Sequence, residues 1–201
     1  MSVLPADGRR WLLCDYGEVL SLPLDEQAIV AMSRCAGIAV EPLLASYWHH
    51  RLPYDRGDVT AAAFWTAVLG RSAPDALIEE LVALDISGWT RPNPDALAGV
   101  AALAERGWRL AILSNAPREI ARHLDGVSWL TGFAPRLFSC DLGEVKPEPA
   151  AFAAALAALG VPASVVTFVD DRETNIAGAR AAGLVAHRYR SAALFSALAA
   201  Q

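Results

Sequence analysis

The chain of 201 residues has 54% hydrophobic residues, 19% charged residues and a formal net charge of −5. This length fits one domain, or a core with a modest insertion, and the hydrophobic content excludes wholesale disorder. The acidic balance predicts no nucleic-acid partner. It leaves an anionic small substrate possible, because a local lysine and a bound cation outweigh a weak global charge.

The cysteines and the apolar runs bear on location. Cys14, Cys35 and Cys140 form no paired pattern, so reduced thiols and a cytoplasmic location are expected. Arg9 and Arg10 precede an apolar run that a charged residue interrupts after four positions, which is too short for a signal peptide. The Ala-rich segment 150–159 is far shorter than the roughly 20 apolar residues of a membrane span. We therefore expect no membrane partner.

The amino-terminal third predicts one strand followed by helices. The first strand is expected at 11–14, a short apolar run before a charged turn. Between residues 23 and 85 the apolar residues follow helical spacing, and no strand pattern occurs. An inserted four-helix segment is therefore predicted. Its helices are expected at 25–36, 41–50, 60–69 and 74–84.

From residue 94 onward helices and strands alternate, which is typical of an α/β fold with a parallel sheet covered by helices on both faces. We predict a core domain of residues 1–20 and 90–201 and a helical cap domain of residues 21–89 above the carboxyl edge of the sheet. The later strands are expected at 110–113, 137–140, 165–169 and 185–189. The later helices are expected at 95–105, 117–124, 148–159 and 172–182.

Four short segments carry polar groups at or shortly after predicted buried strands. They contain Asp15, the pair Ser114-Asn115, Lys146, and the pair Asp170-Asp171. The carboxyl ends of parallel strands meet at one edge of an open sheet, and ligands bind there. A carboxylate, a hydroxyl, an ammonium and two further carboxylates at that edge would suit a divalent cation and a phosphoryl group.

The acids have both a chemical and a plain structural interpretation. Asp15 is suited to attack phosphorus and form an acyl phosphate, although alone it would be read as an ordinary turn residue. Asp170 and Asp171 repel each other unless a cation lies near them, and Mg²⁺ prefers such hard oxygen ligands. Alternatively, one of them caps a helix and interacts with its dipole.

Lys146 is the only lysine of the chain and lies in the loop 143–149, where prolines exclude a helix. An ammonium near Asp15 would keep that acid ionised and neutralise phosphoryl oxygens. The alternative is a solvated surface lysine. Ser114 and the backbone N–H groups that follow it could hold phosphate at a helix N-terminus, or Ser114 could be a simple helix cap.

In order, residue type and spacing, these segments resemble the haloacid dehalogenase (HAD) superfamily, whose members are mostly magnesium-dependent phosphatases. The resemblance implies an α/β HAD-like Rossmannoid core with an inserted helical cap, a Mg²⁺ cofactor and an aspartyl-phosphate intermediate on Asp15. The implied catalytic residues are Asp15, Ser114 and Lys146. The implied phosphate-binding residues are Gly17, Glu18, Ser114, Asn115 and Lys146. The implied metal ligands are Asp15, Gly17 through its backbone carbonyl, Asp170 and Asp171.

The main departure from the superfamily is Gly17, because most of its phosphatases have a second Asp there that acts as general acid and base. The segment Asp15-Tyr16-Gly17-Glu18-Val19 is similar to the branch that contains bacterial α-D-glucose-1-phosphate phosphatases and the N-terminal domain of epoxide hydrolases. Proton transfer is left unassigned, with Glu18 as the nearest candidate. Asn175 matches a position that often holds another acid, so a supporting role is implied for it.

Three functions stay open at this point. The first is a magnesium-dependent phosphomonoesterase that acts on a small phosphorylated metabolite, such as a sugar phosphate. The second is a metal-independent 2-haloacid dehalogenase, and the third is a catalytically weak binding or regulatory relative, suggested by Gly17. Within the predicted cap, His50 or Arg51 is expected to meet the non-phosphate half of the substrate. A monomer or a homodimer is expected.

Overall fold

Five parallel strands form the centre of the fold. The computed structural model describes residues 10–200; the prediction that involves Arg9, and residues 1–9 and 201 of the predicted core, lie outside this range. The strand order is β3-β2-β1-β4-β5, with every neighbouring pair parallel. The strands are β1 (Trp11–Cys14), β2 (Arg109–Ser114), β3 (Phe133–Phe138), β4 (Val166–Asp170) and β5 (Val185–Arg188).

The strand order confirms the predicted α/β class and locates a crevice. The chain builds β1, β2 and β3 outward on one side, then returns to place β4 on the other side of β1. Parallel strands require crossover connections, which helices supply here. The point where the order reverses, between the carboxyl ends of β1 and β4, is where ligands bind in open α/β sheets.

Ten α-helices surround or follow the sheet in the described part of the chain. The first four lie between β1 and β2, and the predicted cap Thr60 accepts a hydrogen bond from the N–H of Ala63 at 3.2 Å. The first four helices are α1 (Glu26–Ala36), α2 (Val40–Arg56), α3 (Ala61–Leu69) and α4 (Asp75–Trp89). The others are α5 (Pro94–Glu105), α6 (Arg118–Asp125), α7 (Ser139–Leu142), α8 (Pro149–Leu159), α9 (Glu173–Ala181) and α10 (Ala193–Ala199).

Both faces of the sheet are covered, as the fully buried central strands β1 and β4 require. Side chains alternate along β1, so Leu12 and Cys14 pack against α5, α6 and α10. Trp11 and Leu13 point the other way and pack against α8 and α9. The sheet is therefore the middle layer of three.

Helices α1–α4 have a hydrophobic core of their own, built around Tyr47, Phe64 and Trp65. The two connections to the sheet run side by side and are joined by an antiparallel bridge between Ser21 and Pro92. The division into a core and a cap domain stays a prediction. No single helix within residues 10–200 has the length and apolar composition to cross a membrane; α1 and α2, bent by 97°, meet those criteria only as a pair.

Three details differ from the sequence prediction. The strand expected at 137–140 is wrong for its second half, because β3 ends at Phe138 and Ser139 begins α7. The hydroxyl of Ser139 donates to the carbonyl of Asp55 and accepts from the N–H of Ala116, and these distant contacts favour the turn. Helices α2 and α4 also extend further than predicted, and α10 was not predicted.

Candidate active site

Asp15 and Asp170 lie side by side because their strands are parallel neighbours. The register of β1 and β4 pairs Cys14 with Val169, the residues just before the two acids. The N–H of Asp15 donates to the carbonyl of Val169 at 2.8 Å and prolongs this pairing. Asp170 is fully buried and Asp15 is 8% exposed. Two buried carboxylates this close raise each other's pKa unless a cation compensates them.

Lys146 supplies a cation to both acids. Its Nζ lies 2.8 Å from Oδ1 of Asp15 and 2.8 Å from Oδ2 of Asp170, and its side chain is 1% exposed. Burial opposes the charged form, but the two carboxylates outweigh it and hold the pKa of Lys146 above its ordinary value. Lys146 is therefore a buried ammonium and not a solvated surface lysine.

The backbone of Lys146 is held by Asn115, which follows β2. Oδ1 of Asn115 accepts from the N–H of Lys146 at 2.9 Å, and Nδ2 of Asn115 donates to the carbonyl of Lys146 at 2.9 Å. The amide of Asn115 thus joins the end of β2 to the lysine loop. Because this side chain is occupied, the prediction that Asn115 binds phosphate now concerns its backbone N–H alone.

The carboxylate of Asp170 accepts hydrogen bonds from three residues. Its Oδ1 accepts from the N–H of Arg172 at 2.9 Å, and its Oδ2 accepts from Lys146. Nδ2 of Asn175 donates to both oxygens, at 3.0 and 2.9 Å. Burial alone would raise the pKa of Asp170, but Lys146 and these donors hold it below its usual value. Asp170 is thereby fixed as an anion that orients Lys146, and Asn175 has the supporting position that the sequence implied.

Asp15, Asp170 and Asp171 form a cluster that fits a divalent cation. One carboxylate oxygen of each residue lies within 4.8 Å of the others, and carboxylate oxygens are the donors that Mg²⁺ prefers. Asp171 is the most accessible of the three. Burial, then Asp170 and Glu18, raise the pKa of Asp171. A bound cation would relieve this excess of negative charge.

The surroundings of Asp15 act on its pKa in opposite directions. Burial raises its pKa from 3.8 to about 7, Lys146 acts in the opposite direction, and Asp170 adds to the increase. The N–H of Tyr16 donates to Oδ1 of Asp15 at 2.7 Å. Each further positive charge near this carboxylate favours the ionised form that can act as a nucleophile.

The turn after Asp15 presents Gly17 and Glu18 to the same cavity as Ser114. A Cβ atom on Gly17 would lie 3.6 Å from Cζ3 of Trp89, an ordinary contact, so the turn has room for a side chain. Glu18 is exposed and has a φ of 58°, in the left-handed region that is strained for residues other than glycine. Ser114 is buried at the end of β2.

A network of four side chains from α2 and α4, which we call the cap polar cluster, borders the site: Tyr47, Arg51, Asp55 and Asp85. Nε of Arg51 lies 2.6 Å from Oδ1 of Asp55, and Nη1 lies 3.2 Å from Oδ2 of Asp85. The hydroxyl of Tyr47 donates to Asp85 at 2.7 Å. Burial raises the pKa of Asp55 to about 6, although Arg51 opposes the shift, and burial also raises the pKa of Asp85.

The cavity between the sheet edge and these helices has a volume of about 300 Å³. Asp15, Lys146 and Asp171 line its floor, while Trp48 and Trp89 line the side formed by the helices. Of the two residues predicted to meet a substrate, Arg51 lines the cavity, whereas His50 is not among the described residues that do so. The sequence analysis missed Leu52 and Trp89; the apolar pair Trp48 and Leu52, four residues apart on one helix, was the available signal.

This fold, with three acids and a lysine at the switch point of a parallel sheet, defines an α/β protein with a site that fits a divalent cation and an anionic ligand. The family model of the haloacid dehalogenase-like hydrolases matches residues 27–183. Because this match spans most of the chain, the protein belongs to the haloacid dehalogenase-like hydrolase family. The predicted superfamily is thereby confirmed, while the predicted glucose-1-phosphate phosphatase branch stays a prediction.

Curated relatives include phosphatases and a dehalogenase. The chain is 35% identical over 164 residues to a phosphoglycolate phosphatase of Rhodospirillum rubrum, covering 81% of this chain and 64% of that protein. It is 33% identical over 94 residues to haloacetate dehalogenase H-2 of a Moraxella species, covering 46% of this chain and 42% of that protein. The chain thus spans less than two thirds of the length of these relatives.

Solved structures support the fold assignment. A HAD family enzyme of Bacteroides thetaiotaomicron, an Asp-to-Ala mutant in complex with magnesium and inorganic phosphate, matches with a TM-score of 0.74 at 19% identity, over 92% of this chain and 95% of that one. An L-2-haloacid dehalogenase of Xanthobacter autotrophicus matches with a TM-score of 0.67 at 24% identity, over 90% and 77%. At these identities the likeness concerns the fold alone.

Proposed function

We propose that this protein is a magnesium-dependent phosphomonoesterase acting on a small phosphorylated metabolite. Asp15 is the nucleophile, Lys146 and Ser114 assist it, and the backbone N–H groups of the Asp15 and Ser114 turns bind the phosphoryl group. Asp15, Asp171 and the carbonyl of Gly17 would hold Mg²⁺, with Asp170 next to them. Helices α1–α4 act as a cap domain over this site.

One observation carries the proposal: the buried ammonium of Lys146 contacts the carboxylate of Asp15 at 2.8 Å inside a three-acid cluster. A structural ion pair would need one acid for one lysine. Here a second buried acid, Asp170, orients the lysine, and a third, Asp171, remains accessible. The excess of acids over cations supports a site that gains a divalent cation and then an anionic substrate.

The reaction proceeds in two displacements at phosphorus. In the first, an oxygen of the Asp15 carboxylate forms a bond to phosphorus, the bond to the alcohol oxygen breaks, and the alcohol takes up a proton. In the second, water attacks the phosphorus of the acyl phosphate, losing a proton and releasing Asp15 and inorganic phosphate. Lys146 neutralises charge that develops on the phosphoryl oxygens. Bound Mg²⁺ would supply further charge stabilisation there.

Proton transfer distinguishes this chain from phosphatases with a second Asp. Gly17 has no acid. Glu18, which is exposed at the cavity and close enough to Asp171 to raise its pKa, is the nearest carboxylic acid in the same turn besides the nucleophile. General acid–base groups contribute about 10²–10⁴-fold. We therefore expect modest turnover and a preference for good leaving groups. Gly17→Asp, for which the turn has space, should accelerate hydrolysis.

A 2-haloacid dehalogenase is the second candidate, because Gly17 removes the acid–base group that phosphatases use while the nucleophile remains. In that reaction Asp15 would attack carbon and release halide, with no requirement for a cation. The accessible Asp171 favours the phosphatase, since an uncompensated acid would repel the carboxylate of a haloacid.

A direct assay separates the candidates. Release of inorganic phosphate from p-nitrophenyl phosphate and from sugar phosphates is measured with Mg²⁺ and with EDTA, beside chloride release from 2-chloropropionate. We expect Mg²⁺-dependent phosphate release that Asp15→Asn lowers by more than about a hundredfold, since an amide cannot form the acyl phosphate. Equal rates with EDTA would contradict the metal assignment, and chloride release would establish the second candidate. Release of neither product would favour the binding or regulatory alternative.

A further inference from the structure

Large apolar side chains line the part of the cavity that α2 and α4 form. Among the described residues, four large hydrophobic side chains are exposed, and two of them, Trp48 at 43% and Leu52 at 49%, line this one cavity. They are four residues apart and therefore neighbours on one face of α2. The rings of Trp48 and Trp89 lie 6.1 Å apart in an edge-to-face arrangement. Apolar side chains left exposed beside a polar site mark a surface for a ligand.

The cation on this side of the cavity is already compensated. Arg51 is 6% exposed and contacts two carboxylates, Asp55 at 2.6 Å and Asp85 at 3.2 Å. Its guanidinium also stacks over the rings of Tyr47 and Tyr54, at 5.0 and 5.8 Å. With both acids ionised, the three charges sum to −1. A carboxylate on a substrate would have to displace Asp55 or Asp85 and leave a buried acid unpaired, which is strongly destabilising.

Two further cations line the cavity, Lys146 and Arg172. Lys146 is bound between Asp15 and Asp170. Arg172 is exposed just before α9 and lines the cavity, and its charge lowers the pKa of both Asp55 and Asp171, so it lies between the cap polar cluster and the acid cluster. The phosphoryl end of a substrate would meet Lys146, and its alcohol end would meet indole rings and the cap polar cluster, whose one cation, Arg51, is already paired with two acids.

We infer that the alcohol part of the substrate is uncharged and presents an apolar face, such as a sugar ring or an aryl group, to Trp48 and Trp89. This inference rests on the proposed phosphatase function and specifies its substrate class. It implies that this protein discriminates against phosphomonoesters whose alcohol carries a carboxylate. Its relative in Rhodospirillum rubrum, by contrast, is named for such a substrate, phosphoglycolate. The cavity of about 300 Å³ holds about ten water-sized volumes, which suits a phosphate and one ring or short chain.

The test compares pairs of nearly the same shape, in which one member carries a carboxylate and the other a neutral amide. The kcat/KM values of 2-phosphoglycolate and its amide, and of 4-carboxyphenyl and 4-carbamoylphenyl phosphate, are measured with Mg²⁺ at pH 7.5. We expect the amide of each pair to be preferred at least tenfold. Equal kcat/KM values for the carboxylate-bearing phosphate ester and its amide would overturn the inference while leaving the phosphatase function intact. Hydrolysis of no phosphomonoester at all would instead refute the proposed function.

Two variants test the two parts of the reasoning. Trp48→Ala should raise the KM for phenyl phosphate about tenfold with kcat little changed, and Trp48→Phe should restore most of it. Trp108→Ala, at the opposite edge of the sheet, is the matched control and should leave KM unchanged. Asp85→Asn removes one of the two acids that compensate Arg51 and should shift selectivity toward the phosphate esters that carry a carboxylate.

Turnover of the amide-bearing phosphate esters reports whether the Asp85→Asn protein has kept its fold. If that variant is unstable, Asp55→Asn tests the same point, because it also removes one of the two acids that compensate Arg51. Unchanged selectivity in a folded variant would refute the role of the cap polar cluster. Unchanged KM in Trp48→Ala would refute the role of the indole.

Discussion

Replacing Lys146 with Met removes the one buried cation that Asp15 and Asp170 share. Both contacts are 2.8 Å and the lysine side chain is 1% exposed, so water cannot readily take its place. Met has a similar length and no charge. The substitution therefore isolates the electrostatic contribution of the ammonium from its packing.

The structure sets the size of the effect. With Lys146 present the pKa of Asp15 is about 7, and removal of an adjacent opposite charge raises such a pKa by about 1–3 units. The ionised fraction of Asp15 at pH 7 would fall from about a half to between about a tenth and a thousandth. Loss of the charge that we propose to stabilise the phosphoryl oxygens would cost a further 10²–10³-fold or so in kcat. Leaving two buried acids without their shared cation should lower the free energy of unfolding by roughly 3–5 kcal/mol.

The assay is the pH profile of kcat/KM for p-nitrophenyl phosphate from pH 5 to 10, with circular dichroism and urea unfolding on the same samples. The deficit of Lys146→Met should shrink as the pH rises, because high pH restores the ionised Asp15 but not the lost ammonium. Lys146→Arg should recover only part of the activity, since a planar guanidinium does not replace a compact ammonium. Arg106→Met, which removes an exposed cation, is the control for loss of a positive charge.

Two results would refute this reasoning. Activity of Lys146→Met within tenfold of the parent would mean that the lysine does not assist the reaction. A deficit that stays constant across the pH range would mean that Lys146 does not control the ionisation of Asp15. The double variant Lys146→Met/Asp170→Asn separates stability from chemistry, because it should regain stability without regaining activity.

Three further predictions follow. Asp171→Ala should abolish the increase in melting temperature that Mg²⁺ gives the parent protein; an unchanged increase would remove Asp171 from the metal site. Gly178→Ala places a Cβ 2.7 Å from the carbonyl oxygen of Pro147, so urea unfolding should show a loss of about 1–3 kcal/mol together with reduced turnover, whereas Gly132→Ala, whose Cβ meets nothing closer than 3.9 Å, should change neither. Asp55 has its pKa raised from 3.8 to about 6 in the folded protein, so its contribution to stability is full below about pH 4 and is lost as the pH rises to about 6. Between pH 4 and 7 the parent should therefore lose about 3 kcal/mol more than Asp55→Asn in urea unfolding, and parallel curves would contradict the assignment.

Local sequence patterns predicted most of the elements. The strand at 11–14 agrees with β1, and α1 and α3 begin and end within one residue of their predicted bounds. These elements are encoded locally, by a short apolar run, by Thr60 as a cap and by Gly37, whose φ of 68° ends α1. The predicted parallel sheet followed from the alternation of such elements, and the structure confirms it.

The errors lie where distant contacts decide the local structure. Helix α2 continues six residues beyond its predicted end because Tyr54 reaches Glu119 on α6, where its hydroxyl donates at 2.8 Å. Ser139 leaves the strand because its hydroxyl bonds the carbonyl of Asp55, which is 84 residues away. Helix α10 packs on α5 at Gly99, where a Cβ would lie 2.8 Å from that of Phe195. Such contacts leave no periodic signal in the segment itself.

By itself, the sequence determined the residue types of the candidate site and their positions at the carboxyl ends of strands, because strand ends and loops are local properties of a chain. Tertiary structure alone decided the partners. Lys146 is paired with an acid 24 residues away and held by an amide 31 residues away, and the charge of Arg51 is compensated by an acid 34 residues away. Burial, which raises the pKa of Asp15 to about 7, likewise depends on everything packed around the site. The pairing of these charges and the protonation of Asp15 are therefore decided by the folded structure, since both depend on distances that the order of residues does not specify.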